Sequence, residues 1–216
     1  MPATRRPGWI AAIVLPIVLV LSALVQAGGA RAQDAAATPV PLAPVAADEA
    51  IAAATEAEGM LRFDMAENAT QFIFDPDFVH DDGMPANGSG FVTRGYLYPA
   101  GTLGESNGVL ADGSPEFPDQ VLGEWTCRGW FIGEGAHTTT GPWNVTTQMY
   151  NFGGEAGAAT LVSDGYELAD VGVAFSRAVT GGSGPFSGAT GEAQQTLLGF
   201  NATMGVNIQF EIALSP

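Results

Sequence analysis

The chain has 216 residues, with 23 acidic side chains against seven arginines and no lysine, a net charge of −16 at pH 7. Charge of that sign and size repels phosphate backbones and anionic lipid heads, which excludes nucleic acid and membrane surfaces as partners. A lone cysteine, Cys127, excludes an internal disulfide, so stability has to come from a packed core.

Arg5 and Arg6 precede an apolar run from Trp9 to Val25, and small residues follow, ending Ala30-Arg31-Ala32. A charged leader, an apolar centre and a small-residue exit make a signal peptide, so residues 1–32 are expected to be removed on export. The run is about 17 residues, short for a helix crossing the bilayer. A released, extracellular protein with no membrane attachment after cleavage is therefore expected. The acids all lie beyond the cut, whereas only Arg62, Arg94, Arg128 and Arg177 remain, giving a mature charge of −19. Residues 33–59 read as an Ala/Pro-rich linker. Its last part, Asp48–Gly59, has the composition of a short helix or of more tether.

Residues 60–216 read as one all-β domain. No segment sustains a helical apolar stripe, while Gly, Thr, Val and aromatics alternate between turn signals. Strands are expected near 70–75, 90–98, 121–132, 145–152, 159–164, 171–179, 191–200 and 205–213. Short connections between them suggest a meander that closes on itself, since closure removes exposed edges. In the last strand Val206, Ile208, Phe210 and Ile212 share a face. In the sixth, Val171, Val173, Phe175, Arg177 and Val179 do.

Several enzyme classes fall away. Gly181–Gly188 looks like a phosphate-cradling loop, but a Walker loop needs a lysine and this chain has none. No G-x-S-x-G elbow occurs. His80 and His137 are the only histidines and lack zinc-site spacing, so no metal is expected. The acidic stretch Asp75–Gly83 does not fit a calcium-binding EF-hand loop and reads as solvated. Asn68, Asn87, Asn144 and Asn201 each open an N-x-S/T glycosylation sequon.

Two strings carry a resemblance. Ala178-Val-Thr-Gly-Gly-Ser-Gly-Pro-Phe-Ser-Gly-Ala-Thr-Gly-Glu192 resembles the Gly-rich segment of dirigent proteins and allene oxide cyclase-like barrels. Gly123-Glu-Trp-Thr-Cys127 resembles the G-x-W-x-C strand of bacterial allene oxide cyclase barrel-like proteins of secreted type. Glu67–Phe72 and Gln209–Leu214 flank them in the same order. The likeness spans about 60–214. It implies an eight-stranded antiparallel up-and-down β-barrel with an apolar lumen, assembled as a homodimer or homotrimer. Relatives steer cyclisation, isomerisation or coupling of hydrophobic small molecules and use no metal or organic cofactor.

Such chemistry needs an apolar cavity with one or two polar groups to steer or protonate a substrate. Polar residues sharing a strand face with large apolar ones are the candidates. Arg177, Glu192 and Tyr96 are read as catalytic. Arg94, Gln148, Tyr150, Val173 and Phe175 are read as ligand-binding. An arginine in an apolar wall needs an acidic partner, and Glu124 or Glu192 is expected to supply it. The rival reading is a non-catalytic extracellular carrier or structural barrel.

Overall fold

A computed structural model describes residues 45–104 and 106–216. The expected signal peptide and linker residues 33–44 lie outside the described residues. A helix, α1 (Ala47–Ala54), comes first, followed by strands β1 (Thr55–Ala57), β2 (Met60–Glu67), β3 (Ile73–Phe74), β4 (Gly90–Pro99) and β5 (Gly123–Phe131). The remaining strands are β6 (Pro142–Phe152), β7 (Thr160–Leu168), β8 (Ala174–Gly182), β9 (Gly191–Phe200) and β10 (Val206–Leu214). All but β1 and β3 form a closed eight-stranded antiparallel barrel in which successive strands are neighbours. Closure runs through β2, where Phe63 faces Phe210 of β10 on one side and Pro99 of β4 on the other.

The first barrel strand corrects the sequence reading. It is Met60–Glu67, whereas within 70–75 only Ile73–Phe74 is extended. The segment 48–59 divides: up to Ala54 it is helix, where alanines with high helix propensity follow Asp48 and Glu49 at the positive end, and Thr55–Ala57 is strand. Ala50 and Ala54 are buried, and α1 packs against β2 and β6 at one end of the barrel.

That helix end is closed by apolar packing. Phe63 contacts Tyr150, Phe152 and Phe210 with ring centroids 5.4–5.5 Å apart, and Tyr150 lies 4.9 Å from Phe210. Each ring removed from water stabilises by about 1.5–3 kcal/mol. Beyond them, Phe186 from the β8–β9 connection stands 5.7 Å from Phe152 and plugs the opening. The plug depends on Gly184, whose φ is +59° and where an added Cβ would lie 1.8 Å from the Ala158 carbonyl oxygen. The Gly-rich segment is thus a tight turn that holds a stopper. At the far end a second aromatic group, Phe72, Phe91 and Phe131, packs at 5.1–6.4 Å.

A smaller core lies outside the barrel. The long β4–β5 connection folds over β2, β4 and β10 and buries Tyr98, Leu103, Val109 and Val121. It is pinned there by the Tyr98 hydroxyl donating to the Gly108 carbonyl (2.6 Å) and by Leu103 N–H donating to Asp64 (2.9 Å). Three sequons prove to be buried: Asn68, Asn144 and Asn201, against an exposed Asn87. Asn68 and Asn201 are Asx turns, each side-chain oxygen accepting from the backbone N–H and the hydroxyl of the threonine two residues on.

Candidate functional site

Period-2 alternation sends every second side chain of each strand into the barrel. On the helix-end half those side chains are apolar. On the far half polar side chains from six strands stand among apolar ones such as Phe91, Phe131 and Leu197. Gln148 of β6 sits at the centre. Its carbonyl oxygen accepts from Trp125 Nε1 (3.2 Å) and the Tyr150 hydroxyl (2.8 Å). Its amide donates to Gln195 of β9 (3.0 Å) and to Glu167 of β7. Glu167 also accepts from the Thr146 hydroxyl (2.8 Å) and lies 3.7 Å from the Cys127 sulfur. With its amide turned to satisfy both neighbours, Asn144 donates to Glu167 Oε2 (3.1 Å) and accepts from Trp143 Nε1 (3.2 Å).

Arg177 of β8 supplies the positive charge. Its guanidinium is 3.9 Å from Glu167, a charge contact rather than a hydrogen bond. Its hydrogen bonds go to the Tyr166 carbonyl (2.7 Å), the Thr146 carbonyl (2.9 Å) and the Ser163 hydroxyl (3.3 Å). The cation is thereby fixed and neutralised, since a bare buried guanidinium would cost several kcal/mol.

Glu67, the last residue of β2, is the second buried carboxylate. It accepts from the Thr93 hydroxyl (2.6 Å) and from Val206 N–H (2.8 Å), and no cation among the described residues pairs with it. Burial, reinforced by the charge of Glu167 and opposed by those two hydrogen bonds, pushes its carboxyl up to about 7. Burial likewise raises the Cys127 thiol and the Tyr150 hydroxyl, so neither ionises at neutral pH. The interior therefore holds one carboxylate compensated by Arg177 and one poised near neutrality. Pairs of acids with unlike environments are the usual basis for dividing acid and base work.

The barrel divides the sequence-predicted residues. Arg177, Gln148 and Tyr150 meet inside, and Phe175 lies on the same inward face of β8. Glu192, Tyr96 and Arg94 stand on the outside. Glu192 is exposed, and Tyr96 is half-buried under the β4–β5 connection with its hydroxyl on the Gly113 carbonyl (2.8 Å). Val173 precedes β8 and is exposed. The expected partner of Arg177 is corrected too: it is Glu167, because Glu124 and Glu192 point outward. Alternation tells which residues share a face but not which face is inside, and Glu192 shares the outward face of β9 with Leu198 and Phe200.

Glu67, Glu167 and Gln195 were missed. A signal existed for Glu67: Leu61, Phe63 and Met65 precede it at spacing two, an apolar stripe ending in an acid. His80 and His137, unrelated in sequence, stack at 4.0 Å between two far-end loops, with His137 Nε2 2.9 Å from Asp82.

The sequence matches no family model and no curated protein. Among solved structures, a pterocarpan synthase dirigent protein is similar at a TM-score of 0.50 and 18% identity, over 72% of this chain and 92% of its own. A second pterocarpan synthase dirigent protein gives 0.48 and 15%, over 72% and 82%. A pyocyanin demethylase gives 0.45 and 14%, over 72% and 99%. The first likeness is one of fold: this chain is a dirigent-like barrel.

Proposed function

We propose that the far half of the barrel interior receives a hydrophobic small molecule and steers its cyclisation or isomerisation, with Glu67 moving the proton. The observation that supports this is the contrast between the two buried carboxylates. Near pH 7 Glu67 holds its proton about half the time, the condition in which one group serves as both acid and base. Glu167 stays fixed beside Arg177 and orients the Gln148–Tyr150–Gln195 array around the bound molecule. Phe175, Leu197 and Val206 supply apolar wall. The proton that Glu67 gives to the substrate returns to the same carboxylate after ring closure, so no co-reactant is consumed. In this reading the barrel works outside the cell once residues 1–32 are removed.

In this reading the ligand enters at the far end, where Phe72, Phe91 and Phe131 have to move aside to admit it. Arg177 is a positioning residue. Glu192 and Tyr96 take no part, and E192Q and Y96F serve as controls with unchanged turnover.

The test is mass spectrometry of small molecules extracted from the purified protein, followed by turnover of the recovered class of compound. E67Q is expected to keep the ligand and the fold while losing turnover about a hundredfold or more. Turnover undiminished in E67Q would sink the acid–base role and leave a carrier. An empty barrel that also refuses neutral fatty-acid, terpenoid and phenolic probes would sink the ligand reading itself.

A further inference from the structure

Inside the barrel each hydrogen bond forces the next. Trp125 Nε1 can only donate, so the oxygen of the Gln148 amide has to face it, and the Tyr150 hydroxyl donates to the same oxygen. The Gln148 nitrogen is thereby turned toward two acceptors, the Glu167 carboxylate and the Gln195 oxygen. Gln195 is left presenting its own nitrogen on its remaining side. That nitrogen, on a residue only 2% exposed, donates to nothing among the described residues. Buried amide N–H groups are almost always met by an acceptor, because leaving one unmet is costly. An acceptor atom brought in by a ligand would meet it here.

The charged groups limit what that ligand can be. Around the array stand Glu67 from β2, Cys127 from β5, Tyr150 from β6, Glu167 from β7 and Arg177 from β8. Arg177 is the one cation among them, and all three of its nitrogens are committed. Nη1 donates to the Tyr166 carbonyl, Nε to Ser163 Oγ, and Nη2 to the carbonyls of Thr146 and Ser163. Arg62, Arg94 and Arg128 stand on the outside, and the chain has no lysine. A carboxylate brought inside would join Glu67 and Glu167 with no cation free to meet it, a desolvation without compensation. An ammonium would set its own N–H groups against those of Gln195.

We propose that the barrel takes uncharged molecules bearing a carbonyl oxygen, such as a ketone, enone or quinone, held at that oxygen by the Gln195 amide, and turns carboxylates away. This deepens the functional reading above and rests on the interior being the ligand site. Gln195 is then the group that tells an oxygenated molecule from a plain hydrocarbon, and Arg177 is not an anchor for an acid. The charge of the whole chain works in the same sense. A surface with 23 acids against seven arginines repels anions before they reach the opening and leaves neutral molecules unaffected.

Calorimetry at pH 8 with matched probes tests it: hydrocarbon, methyl ketone and carboxylate, each on the same alkyl, terpenoid and phenyl skeletons. The ketone is expected to bind about tenfold more tightly than the hydrocarbon, the worth of one hydrogen bond. The carboxylate is expected to bind about a hundredfold more weakly than the ketone. At pH 4 the probe acid is largely uncharged and its affinity rises toward that of the ketone, whereas a refusal based on shape would not respond to pH. Q195L abolishes the preference for the ketone without lowering the affinity for the hydrocarbon, which a merely structural role of the amide would not do. Circular dichroism checks the fold of Q195L, and the probe series on the parent chain is decisive without it. Carboxylates bound as tightly as ketones at pH 8, or hydrocarbon and ketone weakened alike in Q195L, overturn the inference and leave the interior a binding site. If no probe of any skeleton binds, the interior reading itself falls, and this inference with it.

Discussion

Glu67 shows what a single side chain costs when it is placed where water cannot follow. Its carboxyl stays protonated to about pH 7 in the fold, against an ordinary value of 4.5 in the open chain. Below pH 4.5 both states hold the proton and the residue is neutral toward folding. As pH rises from 4.5 to 7 the unfolded chain releases a proton that the native state retains, and stability falls. Above 7 the whole difference applies, about 3 kcal/mol. E67Q carries no such dependence. Urea titrations are expected to find it close to the parent at pH 4 and more stable by about 3 kcal/mol at pH 8; a gap that stays constant or narrows with rising pH would contradict the burial of this charge. The group proposed to move a proton is thus one the fold holds at its own expense, as functional residues tend to be.

At the scale of elements, the β8–β9 connection is the clearest case of sequence dictating shape. Gly184→Ala must place a methyl group against the Ala158 carbonyl at a backbone angle that suits glycine. Relief requires moving the turn and with it Phe186. A loss of about 2–4 kcal/mol in chemical unfolding is expected, and an unchanged midpoint would mean that the stopper is not seated. Glycines in such a string are visible in sequence, as were the bounds of β9 and nearly those of β4, β5 and β10. Regular alternation and turn residues make those strands legible. β2 carries the same alternation, Leu61, Phe63 and Met65 against Arg62 and Asp64, but which of its two faces turns inward is decided only when β4 and β10 close on either side of it. The interior polar group suffered from the same ambiguity. Gln148, Tyr150, Phe175 and Arg177 were found because they share faces with large apolar residues. Glu167 lies on a β7 face shared with Ser163 and Gly165, and nothing local distinguishes it. Its role arises only when β7 is rolled up beside β8.

The molecule as a whole has no open edge in its barrel, and its last strand completes the closure. Residues 207–213 pair with residues 60–66, so the ring cannot close before the C-terminus is available. Such distant pairing slows folding and leaves strands unpaired meanwhile. A chain stopped after Gly205 exposes the edges of β2 and β9 and is expected to aggregate rather than fold. A soluble monomer with cooperative unfolding would show that β10 is dispensable. Late closure has a further meaning for how the protein can be made. Oligosaccharide transfer acts on chains still emerging, before Asn68, Asn144 and Asn201 are hidden. A sugar on any of them belongs where the barrel has no room: in the two interlocked Asx turns or beside Glu167. A glycosylating host therefore yields folded protein only from chains it left bare at those three asparagines, whereas a glycan on Asn87 is carried harmlessly on the surface.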